Sequence, residues 1–285
     1  MYVLMTGKEL LLDAQKNKYA VGAFNVNNME VIQAIIGAAE ETNSPVILQA
    51  SQGGLKYAGV EYIATLGKLA ASMTKVPVAL HLDHGTDFDQ VMQCIRHGFT
   101  SVMIDGSRFP LEENIAFTKK VVEIAHMVGV TVEAELGKIG GTEDHITVSE
   151  KDATFTDPQE AKRFVEETGV DYLAIAVGTA HGVYKGVPKL DYDRITAIRN
   201  IIDIPLVLHG SSGVPYESLK KAISLGICKI NIDTDIRASF AKTVKEYIEK
   251  NPDQIDPRKI LGPATEAMKE TIKEKMEVFG STNRA

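Results

Sequence analysis

Eight short apolar runs recur along this chain, and each is followed by a segment with helical spacing. The runs cover residues 19–25, 46–51, 76–83, 101–105, 131–136, 172–177, 205–208 and 227–232. They are rich in Val, Ile, Leu and Ala, and their continuous apolar character suits parallel strands covered on both faces. Between them lie amphipathic stretches such as MEVIQAIIGAAEE and NIAFTKKVVEIAHMVG. In DPQEAKRFVEETG, Asp157 is placed to cap a helix, Pro158 to open it and Gly169 to stop it. Eight strand–helix units predict an α/β fold, a (β/α)8 TIM barrel, whose active site lies at the C-terminal ends of the strands. Residues 1–285 read as a single catalytic domain. Two stretches break the rhythm. Residues 137–158 form a long polar segment after the fifth strand, a candidate lid. The tail from about 246 reads as an extension of further C-terminal helices that cap the barrel or meet a second subunit.

Composition narrows the function classes. A formal net charge of −7 argues against nucleic acid and anionic membranes as partners, because both select basic patches. The two cysteines, Cys94 and Cys228, have no metal-ligand spacing and suggest no disulfide framework. No apolar run reaches the roughly 18 residues of a membrane span, and the N-terminus lacks the pattern of a signal peptide. The expectation is a soluble cytoplasmic protein.

Three histidines share one local setting: a strand-like run, then His, then Gly. They are His84, His181 and His209, at the ends of strands three, six and seven, whereas His97 and His126 fall in helical segments and read as packing or surface residues. Three imidazoles delivered by three separate strand ends suit a Zn²⁺ ion with one position left for substrate. Acidic residues share the rim. Asp83 precedes His84, and in a strict strand the two would face opposite ways, so both can serve only if the strand already turns there. Asp105 and Glu135 end strands four and five and are candidates for a second or alternate metal position. Glu133 lies two residues before Glu135 on the same face and is a candidate to fix a histidine tautomer. Glu143 falls in the long polar segment. After strand seven comes Gly210-Ser211-Ser212-Gly213, and after strand eight Asn231-Ile232-Asp233-Thr234. Barrels often cradle phosphate with these two loops. Ser51, Gly182 and Lys185 are further donors.

The motifs YAVGAFNVNN, HLDHG, SVMIDGS, VEAELGKIGGTED, GTAHGVYKG, LVLHGSSG, KINIDTDIR and DPRKILGP resemble those of the class II, metal-dependent fructose-bisphosphate aldolases and the similar tagatose-bisphosphate aldolases. The resemblance covers essentially the whole chain. It implies that His84, His181 and His209 hold catalytic zinc, that Asp105 and Glu135 lie near an alternate or second divalent position, and that Asp83 moves the hydroxyl proton. It implies that Glu143 moves the carbon-bound proton of the dihydroxyacetone phosphate part. Asn25, Ser51, Gly182, Lys185, Gly210, Ser211, Ser212, Asn231, Asp233 and Thr234 would surround substrate and its phosphate. Arg258 would reach the other phosphate from a neighbouring subunit of a homodimer or homotetramer. A monovalent cation, Na⁺ or K⁺, near the phosphate loops is also implied. Ser211 departs from the family pattern, which commonly has a second glycine there.

The implied reaction is reversible cleavage of fructose 1,6-bisphosphate to dihydroxyacetone phosphate and glyceraldehyde 3-phosphate, with zinc as Lewis acid for the enediolate. Tagatose 1,6-bisphosphate is the alternative substrate: TDPQEAKRFVE and GTAHG look like the tagatose group, and Asp233-Thr234-Asp235 like the fructose group. Three rivals remain. They are a Schiff-base aldolase using Lys229, a metal-dependent hydrolase on the same barrel, and a non-catalytic sugar-phosphate binder.

Overall fold

The protein is described from a computed structural model covering residues 4–143, 146–149, 153–184 and 186–285. In chain order, α1 (Gly7–Asn17) leads to β1 (Val21–Asn25), α2 (Met29–Thr42), β2 (Val46–Ser51), α3 (Gln52–Ala58) and α4 (Val60–Met73). Then come β3 (Val78–Gly85), α5 (Phe88–Arg96), β4 (Ser101–Ile104), α6 (Leu111–Met127) and β5 (Thr131–Leu136). A small excursion, β6 (Gly140–Glu143) and β7 (Ile146–Val148), precedes α7 (Pro158–Thr168), β8 (Tyr172–Ile175) and β9 (Ala180–His181). The chain closes with α8 (Tyr192–Arg199), β10 (Leu206–Leu208), α9 (Tyr216–Ser224), β11 (Ile227–Ile232), α10 (Thr234–Lys250) and α11 (Pro257–Val278). Eight strands form a closed barrel in the order β1-β11-β10-β8-β5-β4-β3-β2, and all pair in parallel. This is the expected (β/α)8 barrel.

Local chemistry explains the punctuation. The Asp157 carboxylate accepts from the backbone N–H groups of Gln159 and Glu160, Pro158 opens α7, and Gly169 closes it in the left-handed region. At the N-terminal face, α1 plugs the barrel with Leu10, Leu11 and Ala14 against Val21, Ala23, Ile47, Ala79, Tyr172 and Val207. Above that apolar layer the interior turns polar, with Gln49, His81, Glu133, His209 and Lys229 all fully buried. Beyond the eight units, α11 packs against α2 and α10 through Ala264, Met268, Ile272 and Met276. Among the described residues, no helix is long and apolar enough to cross a membrane.

The long polar segment after β5 is not a plain loop. β6 pairs antiparallel with β7 and parallel with β9, a three-stranded sheet apart from the barrel. His181 therefore does not end a barrel strand. The barrel strand before it, β8, stops at Ile175, and the chain turns through Gly178 (φ 106°) before His181, in β9, pairs with Gly141. The close pairing requires glycine: a Cβ on Gly141, itself at φ 100°, would collide with the His181 backbone.

Candidate active site

The turn needed to aim Asp83 and His84 at one place is present. Between Leu82 and Gly85 the β3–β4 register shifts, and three residues on β3 span what two span on β4. His84 takes up this bulge in the left-handed region at φ 50°, a costly conformation for a residue with a Cβ. Side chains bonded to its backbone hold it there: its carbonyl accepts from Gln52 Nε2 at 2.5 Å, and its N–H donates to Met103 Sδ at 3.4 Å. Strain of this kind persists only where the surroundings over-determine it, and it concentrates at functional sites.

His84, His181 and His209 bring a ring nitrogen each to within 4.8 Å of one another, and His84, Asp105 and Glu135 form a second such group. The outer nitrogens are committed. His84 Nδ1 lies 3.1 Å from Asp105 Oδ2, and His209 Nε2 lies 2.7 Å from Glu133 Oε1. Burial alone would raise the Asp105 carboxyl, but hydrogen bonds from His84 and Ser107 hold it at about 2. Burial likewise opposes ionisation of Glu133, and the charge of Lys229 with hydrogen bonds from His209 and His81 keeps it well below the usual carboxylate range. Ionised carboxylates only accept, so each imidazole carries its proton on the outer nitrogen. Burial pushes His209 below its ordinary value, so it stays neutral. The inner lone pairs of His84 Nε2 and His209 Nδ1 then face each other across 2.8 Å. Two lone pairs at that distance repel unless a cation lies between or beside them. This donor set fits a divalent metal, with the carboxylates fixing tautomer and ring orientation.

Asp83 is fully buried beside this cluster, with Oδ1 3.9 Å from His84 Nε2. Three side-chain amides grip it: Asn25 and Gln49 donate to Oδ2 at 3.0 Å each, and Asn231 donates to Oδ1 at 3.2 Å. A cleft opens alongside, lined by Asn25, His181, Gly182, Gly210, Ser211, Ser212, Asn231, Asp233 and Thr234, with Thr142 and Arg237. Gly210 (φ 60°) lies so close to β9 that a Cβ would stand 2.5 Å from the Ala180 carbonyl oxygen. The left-handed turns fall on Gly210 and Gly213, not on Ser211, so serine is compatible with this loop. Its hydroxyl donates to the Leu208 carbonyl.

Other anticipated residues lie elsewhere. The Ser51 hydroxyl accepts from Gly54 N at 3.3 Å and caps α3. Arg258, at the start of α11, has its side chain 88 % exposed and paired with Asp256 at 2.8 Å, outside the cleft. Glu143 ends β6, and its side chain is not among those described; Lys185 lies outside the described residues. Lys229 is enclosed, with Nζ 2.8 Å from Glu133 Oε2. An ion-paired, fully buried ammonium is poorly placed to attack a carbonyl as a Schiff-base nucleophile.

The sequence reading missed Gln49 and His81. Each is a polar residue inside an apolar run, two positions before a residue already singled out: Gln49 before Ser51, His81 before Asp83. That spacing puts them on the barrel-interior face. His81 Nε2 lies 3.2 Å from Glu133 Oε2, and its Nδ1 lies 2.7 Å from the Ser101 hydroxyl. Burial, then the charge of Lys229, lowers His81 to about 4 from 6.5. Between those values the unfolded chain binds a proton that the folded chain refuses. Stability is therefore full above pH 6.5 and falls as pH drops towards 4, by roughly 3 kcal/mol from this residue. Urea unfolding of the metal-stripped protein from pH 4 to 7 should show a shallower slope in His81→Gln than in the wild type. Equal slopes would take His81 out of that account.

A (β/α)8 barrel with converging imidazoles and a buried carboxylate at its C-terminal rim is the architecture of a metal-assisted enzyme. The class-II fructose-bisphosphate aldolase profile matches residues 5–284, and the chain belongs to that family. A fructose-bisphosphate aldolase of Thermus caldophilus is 51 % identical over 306 aligned positions, covering 99 % of this chain and all of that one. The Helicobacter pylori strain J99 fructose-bisphosphate aldolase is 45 % identical with the same coverage. Among solved structures, the YdjI aldolase of Escherichia coli K12 superposes with a TM-score of 0.86 at 35 % identity, covering 99 % of each chain. A putative fructose-1,6-bisphosphate aldolase from Coccidioides immitis gives 0.90 at 31 % identity, covering 98 % of this chain and 97 % of that one.

Proposed function

We propose that this chain cleaves fructose 1,6-bisphosphate reversibly to dihydroxyacetone phosphate and glyceraldehyde 3-phosphate. The observation that carries the reading is Asp83: a buried carboxylate aimed by three amides, beside the inner nitrogen of His84. Such a group can take the C4 hydroxyl proton as the carbon–carbon bond breaks, and return it in the reverse direction. Asn25 and Asn231 line the cleft and also hold Asp83, so they couple substrate position to the base. Gly210, Ser211, Ser212, Gly182, Asp233 and Thr234 surround the phosphate of the dihydroxyacetone part, and Lys185 joins them. Glu143 returns a proton to carbon when dihydroxyacetone phosphate forms.

His84, His181 and His209 hold Zn²⁺ in this reading, with Asp105 and Glu135 at an alternate or second divalent position and Na⁺ or K⁺ near the phosphate loops. The zinc supplies Lewis acidity for the charge that develops next to the carbonyl. Ser51 and, from a neighbouring subunit, Arg258 serve the second phosphate, which makes the working form a homodimer or homotetramer. Residues 1–285 act as one catalytic domain with its helical extension from about 246, in the cytoplasm. A coupled triose-phosphate assay on fructose and tagatose 1,6-bisphosphates, with chelator and with added Zn²⁺, tests this. Cleavage of the fructose compound, lost with chelator and restored by zinc, is expected. Preference for tagatose 1,6-bisphosphate, or activity untouched by chelator, would overturn it.

A further inference from the structure

The buried face of α11 contains one residue out of character. Met268, Ile272 and Met276 follow apolar helical spacing, yet Lys275 lies among them and is only 4 % exposed. A buried ammonium is expensive unless paired. Its Nζ lies 2.6 Å from Asp235 Oδ2, and 4.8 Å from the centre of the Tyr216 ring.

Asp235 is in the first turn of α10, directly after Asp233 and Thr234 of the cleft. The same Oδ2 accepts from Gly213 N at 3.3 Å, tying α10 to the loop after β10. The bond is reciprocated: the Ser212 hydroxyl accepts from the backbone N–H groups of Asp233 and Asp235, each at 3.3 Å. With its lone pairs engaged, that hydroxyl has its proton left to donate into the cleft. Lys275, Asp235, Gly213 and Ser212 thus form a continuous chain from the last helix to the wall of the anion-binding cleft.

Charge adds a second argument. Asp233 lines this cleft and Asp235 stands behind its wall, bonded to the 212–213 turn; either carboxylate would repel a phosphate dianion if left uncompensated. Asp233 is paired with Arg237 Nη2 at 2.7 Å, and Asp235 with Lys275. We propose that Lys275 is a positioning residue for phosphate binding, which neutralises Asp235 and fixes the 212–213 turn without touching substrate itself. The inference rests on the aldolase reading above, and in particular on phosphate entering this cleft.

Inorganic phosphate is the probe, used as a competitive inhibitor of the zinc-loaded enzyme alongside KM for fructose 1,6-bisphosphate. Lys275→Met should weaken phosphate inhibition and raise KM by about tenfold, more than it lowers kcat, because a charge near the ligand is left uncompensated. Lys275→Arg should recover most of the loss. The decisive variant is the double substitution Asp235→Asn with Lys275→Met, which removes both charges and keeps an acceptor for Gly213 N. Recovery of phosphate inhibition in the double variant, relative to Lys275→Met alone, is expected. A double variant as weak as the single one, or a single variant with wild-type KM and inhibition constant, would overturn the proposal. Zinc titration of each variant separates loss of fold from loss of phosphate binding. A wild-type enzyme that neither cleaves the bisphosphate nor is inhibited by phosphate would instead overturn the aldolase reading, and this inference with it.

Discussion

His209→Ala is expected to lose metal and activity together. The side chain does two jobs: Nδ1 faces the inner nitrogen of His84 at 2.8 Å, and Nε2 is fastened to Glu133. Truncation removes one of three imidazoles and leaves Glu133 facing a gap, with Lys229 and His81 still on it. Loss of an outer-shell partner alone typically costs 10–100-fold in metal affinity, so loss of a ligand should exceed about 100-fold. The ion pair between Lys229 and Glu133 remains, so the fold should survive and circular dichroism should be near wild type. Competition against a chromophoric chelator reads the metal affinity, and the triose-phosphate assay reads turnover. Full activity in a variant with no bound metal would sink the metal assignment.

Asp83→Ala should behave differently. Its carboxylate is beside the three histidines proposed to hold the metal rather than among them, so zinc affinity should stay close to wild type. Turnover should fall by about 10²–10⁴-fold, the usual contribution of a positioned acid–base group. KM should change less than kcat, because Asn25 and Asn231 lose their acceptor while the Gly210–Ser212 side of the cleft has no bond to Asp83 to lose. Asp83→Asn is the sharper control: it preserves size and most of the hydrogen-bonding shape but cannot take a proton. It should be as slow as the alanine variant. An asparagine variant with normal turnover would mean that the group acts by shape alone, and the proton-transfer assignment would fall.

The barrel was legible because its eight strands fall in predominantly apolar runs, and β2, β5 and β11 begin and end where those runs do. β3 differs: it runs on to Gly85, since a bulge extends pairing beyond the point where apolar character stops. His84 and His209 were legible at strand ends, but His181 was misplaced. The sequence places it at the end of the run 172–177, whereas β8 stops at Ile175, Gly178 turns the chain and a separate sheet takes up the histidine. The excursion after β5 read as a polar loop because strands of three or four residues have too short a period to register. Gln49 and His81 were hidden for another reason. A polar residue inside a buried strand has no periodic signature; only its partners on other strands, Asp83 for Gln49 and Glu133 for His81, give it meaning.

The small sheet that carries His181 has a thermodynamic corollary. Two of the three imidazoles are anchored in the closed barrel, while the third is anchored to β6 through Gly141. Any free energy that an ion gains from His181 is gained equally by the hairpin's docked position, because linkage is reciprocal. Holding the hairpin against the barrel would tighten the ion by the same factor by which the ion tightens the hairpin. Amide exchange in β6 and β7 should therefore slow when zinc binds, by the factor that the hairpin's docking adds to zinc affinity.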